Sequence, residues 1–224
     1  MKVSEIFYSL QGEGLLAGVP SIFVRLAGCP LRCRWCDTKY AWDESAGTEY
    51  SVQQIVEAAR WNCGHVVITG GEPLIQDDLE KLVKKIKKTG KHVTIETAGI
   101  TFVPGLACDL MSISPKLSNS IASAHSCTEN IKSPKVDSAV LMQLIRAYEY
   151  QMKFVVATAG DIDEITQLVS QLKADRSRIM LMPQAASRKE YIDRASVVAD
   201  LCKLNGFRFS PRLQLLFWNG DRGV

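Results

Sequence analysis

A parallel α/β fold is what this chain predicts, and three observations predict it. Short apolar runs alternate with amphipathic helical patterns from Ser21 almost to the end. The segments that follow those runs are polar or glycine-containing, as expected where ligands gather at the C-terminal ends of parallel strands. One of these segments, Gly28-Cys-Pro-Leu-Arg-Cys-Arg-Trp-Cys36, carries Cys29, Cys33 and Cys36. A length of 224 residues and a hydrophobic fraction of 46% suit one folded unit with a real core.

The elements follow in order. Residues 5–11 read as a strand or extension flanking the core. The runs 21–27, 65–69, 92–97, 107–112, 152–158 and 179–183 are rich in branched residues, like buried parallel strands. Ser51 is placed to cap a helix running to about Trp61, with Gln54 at the capping-box position. Asp77 or Asp78 begins a lysine-rich helix that Gly90 ends. Its stripe of Leu79, Leu82, Val83 and Ile86 faces inward, and Lys81, Lys84, Lys85 and Lys88 form a solvated face. Further helices are expected at 136–150, 161–173 and 188–204, the last closed by Gly206. Residues 117–135 read as a polar surface loop, and 207–218 as further strands or extensions. The alternation implies right-handed crossovers and either an open doubly wound sheet or part of a β/α barrel.

A net charge of +3 is too small to argue for nucleic acid, and no apolar run reaches the roughly 18 residues of a membrane span. Seven cysteines, an odd number, and no apolar N-terminal signal segment point away from a disulfide framework and toward a reducing cytosol. Cys108, Cys127 and Cys202 read as small buried hydrophobes.

Three thiolates on one short loop can hold three corners of an iron–sulfur cubane and leave the fourth iron open. Clusters that only carry electrons generally take four cysteines, and structural zinc also wants four ligands. The rival readings are a zinc site completed from afar and a redox dithiol at Cys33 and Cys36, which leaves Cys29 idle. Thr69-Gly-Gly-Glu-Pro73 is a strand-ending turn or a backbone cradle for the amino end of a zwitterion. Arg25 lies in an apolar strand, so it either pairs with an internal acid such as Glu13 or clamps an anionic substrate. Thr38 either joins a substrate carboxylate on Mg²⁺ or caps the next turn. Trp35 packs or shields a ligand, and Lys116 at a strand tip can reach a carboxylate.

The cysteine spacing with an aromatic before the last Cys, followed by Thr-Gly-Gly-Glu-Pro, resembles the radical S-adenosylmethionine superfamily. Leu10-Gln-Gly-Glu-Gly14, Phe23-Val-Arg-Leu-Ala-Gly-Cys29, Cys36-Asp-Thr38, Glu96-Thr97, Ser114-Pro-Lys116 and Arg222-Gly-Val224 narrow this to a resemblance to the 7-carboxy-7-deazaguanine synthases, from about residue 3 onward. The resemblance implies an incomplete, compressed (β/α)6-type partial barrel. Residues 20–206 would form the core of a single 1–224 domain, 1–19 an N-terminal strand extension, and 207–224 a tail closing the site.

It also implies a 4Fe-4S cluster on Cys29, Cys33 and Cys36 whose open iron chelates S-adenosylmethionine. One electron from flavodoxin or ferredoxin then releases a 5′-deoxyadenosyl radical, which acts on 6-carboxy-5,6,7,8-tetrahydropterin. Trp35, Cys36, Asp37 and Gly71 would hold the cosubstrate, with Ser114, Pro115, Lys116 and Gln184. Leu10, Gln11, Gly12, Arg25 and Thr69 would hold the pterin, joined by the terminal carboxylate of Val224. Thr38 would bind Mg²⁺. A homodimer is implied as well, and the cysteine usage noted above makes the cytoplasm its expected setting.

Two features depart from the family pattern. Gln214 stands where His is more usual, and Trp218-Asn-Gly-Asp replaces a Trp-Gly-Asn order. A glycyl-radical activase would share the cluster but dock a protein, against which the Arg25 clamp and the Gln11-Gly-Glu-Gly14 loop argue. A non-catalytic zinc- or cluster-binding module on RNA would need a basic, aromatic-studded face.

Overall fold

Alternation within the strands builds the molecule, seen in a computed structural model that describes residues 1–120 and 136–224. Among the described residues nine strands form one sheet. β1 (Lys2–Leu10) runs antiparallel to β2 (Pro20–Leu26), and β3 (Thr48–Glu49) edges β1. From β2 onward every neighbour is parallel: β4 (His65–Gly70), β5 (His92–Thr97), β6 (Leu110–Ile113), β7 (Tyr150–Val156), β8 (Ile179–Pro183) and β9 (Arg208–Phe209). In the spatial order β3-β1-β2-β4-β5-β6-β7-β8-β9, every strand from β4 on adds to the same side. A doubly wound sheet reverses direction at a switch point; this sheet does not, and it has two edges. It is a partial barrel.

One face of each strand packs on helices. Ile22, Val24 and Leu26, Val66 and Ile68, Val93 and Ile95, Met111 and Ile113, Met152, Phe154 and Val156, and Ile179 and Leu181 share one core. Their alternate neighbours Arg25, Thr69, Glu96 and Lys153 turn to the opposite face and border a cavity. Outside lie α1 (Val52–Ala58), α2 (Leu79–Lys87), α3 (Ser138–Ala147), α4 (Asp161–Leu172) and α5 (Arg188–Asn205). The Ser51–Gln54 capping box forms at α1, and Asp78 precedes α2. Gly206 ends α5 at φ +63°, where a side chain would strain the backbone.

Several boundaries differ from expectation. β6 starts at Leu110 because Asp109 turns aside, its carboxylate taking Lys87 Nζ at 2.7 Å and Val93 N–H at 2.7 Å. β7 begins at Tyr150, so α3 stops at Ala147. No helix links β5 to β6. After β9 the tail forms a helix, α6 (Leu213–Trp218), because Leu215 at its centre packs with Ala185 and Tyr191. Leu117 and Ser120 are buried rather than part of a surface loop; residues 121–135, with Cys127, lie outside the described residues. Cys202 is buried and Cys108 only partly so.

Candidate active site

The ends of β2 and β4 hold the cysteine loop in place by backbone contact. Gly71 N–H donates to Leu26 O at 2.8 Å and Glu72 N–H to Gly28 O at 2.9 Å. Gly28 and Cys29 N–H donate to Ala41 and Trp42 carbonyls at 2.9 and 3.0 Å. A Cβ on Gly71 would stand 1.9 Å from Gly28 O, so the strand end approaches the loop this closely only with glycine there. The double glycine thus serves first to seat the cysteine loop. Glu72 is 1% exposed and accepts from Leu74 N–H, Thr97 Oγ1 and Ala98 N–H at 3.1, 2.6 and 2.8 Å, tying the tips of β4 and β5 together.

Cys29, Cys33 and Cys36 border one cavity of about 330 Å³. Leu10, Gln11, Gly12, Arg25, Trp35, Asp37, Thr38, Thr69, Gly71, Ser114, Lys116, Gln184 and Val224 border it too. Pro115 does not; it faces a small neighbouring hollow beside Gly99 and Leu141. Lys116 Nζ donates to Ser114 Oγ at 2.8 Å. The Gln184 carbonyl oxygen takes a bond from Arg194, which leaves its amide N–H₂ for a ligand. Asp37 is held by Arg212 Nη2 at 2.7 Å. Thr38 opens a short 3₁₀ turn at Lys39–Ala41 without a capping bond, and its hydroxyl lies 3.5 Å from Cys36 Sγ.

Arg25 pairs with Glu5, not Glu13. Its Nε donates to Glu5 Oε1 at 2.6 Å, and Tyr40 OH donates to the same oxygen at 2.8 Å. β1 runs antiparallel to β2 with Glu5 directly opposite Arg25, a pairing that alternation within β2 alone does not reveal. Among the described residues the Arg25 Nη groups make no hydrogen bond, so the fork remains for an anion. The tail closes nearby: Arg222 stacks over the Tyr40 ring at 3.6 Å and lies 3.7 Å from Glu5 Oε2.

Glu13 is engaged elsewhere. It accepts from Lys153 Nζ at 3.0 Å, Gln214 Nε2 at 2.7 Å and Arg212 Nε at 3.3 Å. Burial opposes its charge, yet the Lys153 ammonium and Arg212 guanidinium hold its carboxyl down to about 2. Sequence reasoning missed Lys153 and Arg212. The signal for Lys153 was available: a lysine inside the apolar run Met152–Val156 poses the same question as Arg25. Arg212 and Gln214 carried no such signal, since their partner lies some 200 residues earlier.

The donor set suits an iron–sulfur cluster. Burial pushes the Cys29 thiol up to about 11, with Glu72 and the other two thiols adding to it, so bare thiolates are disfavoured until a cationic partner arrives. Among the described residues no three His, Cys, Asp or Glu side chains group tightly enough to hold one metal ion. In a cubane each cysteine serves its own iron, so three thiolates need not converge on one metal ion.

Similarity to known proteins agrees with the chemistry. The radical SAM superfamily model matches residues 23–116. A 7-carboxy-7-deazaguanine synthase from Pyrobaculum aerophilum is 41% identical over 100% of this chain and 97% of its own. One from Halobacterium salinarum is 38% identical over 98% and 91%. The crystal structure of QueE from Escherichia coli superposes with a TM-score of 0.71 at 29% identity, covering 93% of this chain and 92% of that one. With a cysteine-rimmed cavity at the strand ends of a partial barrel and full-length relatives of one kind, this chain belongs to the 7-carboxy-7-deazaguanine synthase family of radical SAM enzymes.

Proposed function

We propose that the protein converts 6-carboxy-5,6,7,8-tetrahydropterin to 7-carboxy-7-deazaguanine with loss of ammonia, in 7-deazapurine (queuosine) biosynthesis. The observation that carries this is one cavity bordered both by the three cysteines and by Arg25, whose Nη fork is free among the described residues. When bound, the 4Fe-4S cluster and S-adenosylmethionine supply the radical that abstracts hydrogen. The residues do the rest. Cys29, Cys33 and Cys36 would hold the cluster. Trp35, Asp37, Gly71, Ser114, Lys116 and Gln184 would orient the cosubstrate, while Pro115 shapes the turn that carries its neighbours.

Arg25 would take the substrate carboxylate through its Nη groups, with Glu5 fixing the guanidinium from behind. Leu10, Gln11, Gly12 and Thr69 would flank the ring, and Val224 in the tail would help exclude water. Thr38, whose hydroxyl caps nothing, would bind Mg²⁺ beside the carboxylate. A homodimer, a flavodoxin- or ferredoxin-type donor and a cytoplasmic site belong to the same proposal. No helix among the described residues is long and apolar enough to cross a membrane.

The test is anaerobic reconstitution followed by turnover. About four irons per chain, S-adenosylmethionine cleavage and conversion of the carboxytetrahydropterin are expected. One tight zinc without cleavage would overturn the reading, and cleavage without pterin turnover would turn it toward an activase.

A further inference from the structure

The proposed mechanism leaves a buried lysine unused. Lys153, 2% exposed, projects from β7 into the wall opposite the helices. Its ammonium sits 3.0 Å from Glu13 Oε2 and 2.8 Å from Glu96 Oε2. Two carboxylates brought to one point would repel and share a proton; a lysine between them removes that cost. Several polar side chains converge on this point. From β6, Ser112 Oγ donates to Glu96 Oε2 at 2.9 Å, and Gln151 Nε2 on β7 donates to Ser112 Oγ at 2.7 Å. At the start of α6, Arg212 and Gln214 hold Glu13, with Asp37 beyond Arg212. From β8 only Met182 faces the cavity.

The arrangement is lopsided in a way that points to a ligand. Both oxygens of Glu13 have donors. Glu96 Oε2 has two, whereas Glu96 Oε1 receives only a 3.3 Å contact from Gln11 Nε2. Glu96, Glu13 and Gln11 all border the cavity, as does Arg25 with its free cationic fork. A ligand matched to this cavity carries an anion at one end and N–H donors at the other, as a carboxylated aminopyrimidine-fused ring does.

Resting on the functional reading above, we infer that Lys153 is a positioning residue that holds Glu13 and Glu96 side by side as an acceptor pair for the N–H edge of the pterin. Lys153 does not touch the reacting atoms. Its effect is to keep Glu96 aimed at the cavity beside Glu13, through contacts of 2.8 and 3.0 Å to the two carboxylates.

Calorimetric titration of the anaerobic holoenzyme with 6-carboxypterin, with kcat and KM measured in parallel, tests this. Wild type is expected to bind with little change between about pH 5 and pH 8. Lys153→Met should weaken binding on the order of tenfold near neutral pH, with a steeper pH dependence as the unbridged carboxylates share a proton. The loss should fall mainly in KM. Lys153→Arg keeps the charge and should restore the flat profile while leaving KM raised. Should Lys153→Met fail to fold, the double variant K153M/E13Q removes the like-charge clash; it should bind weakly with a flat profile. Wild-type affinity at every pH in either folded variant overturns the inference. Wild type that binds no pterin overturns the functional reading instead.

Discussion

Arginine and threonine at the cavity wall are where single residues matter most. Arg25 is held by Glu5 through Nε alone, so its fork is preorganised and costs little to engage. Arg25→Ala should raise the pterin KM at least about tenfold, the scale of a lost charge-assisted contact. Slow uncoupled cleavage of S-adenosylmethionine should persist. Unchanged pterin affinity would remove the clamp. Thr38 is a finer case because its hydroxyl has no capping duty. Thr38→Ala should raise the Mg²⁺ concentration needed for half-maximal activity several-fold without altering the thermal midpoint. An unchanged Mg²⁺ response with a lowered midpoint would make it a structural side chain.

At the scale of elements, the junction of β2 and β4 decides whether the cysteine loop exists as a site. The Cβ of Gly71→Ala would meet the carbonyl oxygen and carbon of Gly28 at 1.9 and 2.4 Å, both backbone atoms that cannot swing away. Overpacking of this kind costs about 1–3 kcal/mol or more. Because the displaced segment leads straight into Cys29, iron content after reconstitution should fall along with stability. The contrast is Ser51→Ala at the capping box of α1, remote from the cavity. It should cost about 1 kcal/mol and leave iron loading intact. Equal iron in both variants would show that the glycine seats nothing.

For the whole molecule, the pH response between 6.5 and 4 sits at the end of the sheet opposite the site. His65 is buried at the start of β4, its Nδ1 2.6 Å from Ser21 Oγ and its Nε2 2.9 Å from Thr94 Oγ1. Burial holds it down to about 4 from its ordinary 6.5, with His92 adding to the effect. Above pH 6.5 the ring is neutral folded or unfolded and contributes nothing. As pH falls from 6.5 to 4 the unfolded chain takes up a proton that the fold refuses, so stability drops. At about 1.4 kcal/mol per pKa unit the loss is on the order of 3 kcal/mol, complete near pH 4. Glu13 acts in a lower window: its depressed carboxyl stabilises the fold above 4.5, a contribution lost as pH falls toward 2. Glu72, raised by burial, offsets part of this by taking its proton in the fold first. Urea titrations from pH 7 to 4.5 should show the fall, and His65→Gln should flatten it. A wild-type stability constant over that range would refute the assignment.

Much of this was legible in the residues themselves. Branched apolar runs and capped amphipathic patterns mark the strands and helices, because burial and backbone satisfaction are local demands that composition and period express. The cysteine spacing and a charged residue inside an apolar strand mark chemistry for the same reason: each is costly without a partner. What the chain could not disclose on its own is which partner. The alternation admitted two sheet orders, and only the pairing of β2 with β4 and of every later strand in sequence produced a partial barrel. Arg25 met Glu5 because antiparallel register placed β1 beside β2, and Glu13 met Lys153, Arg212 and Gln214 because the tail returned to the strand ends. Such contacts join residues up to about 200 positions apart, where no periodicity reaches, and they arise only once the sheet has closed the distance.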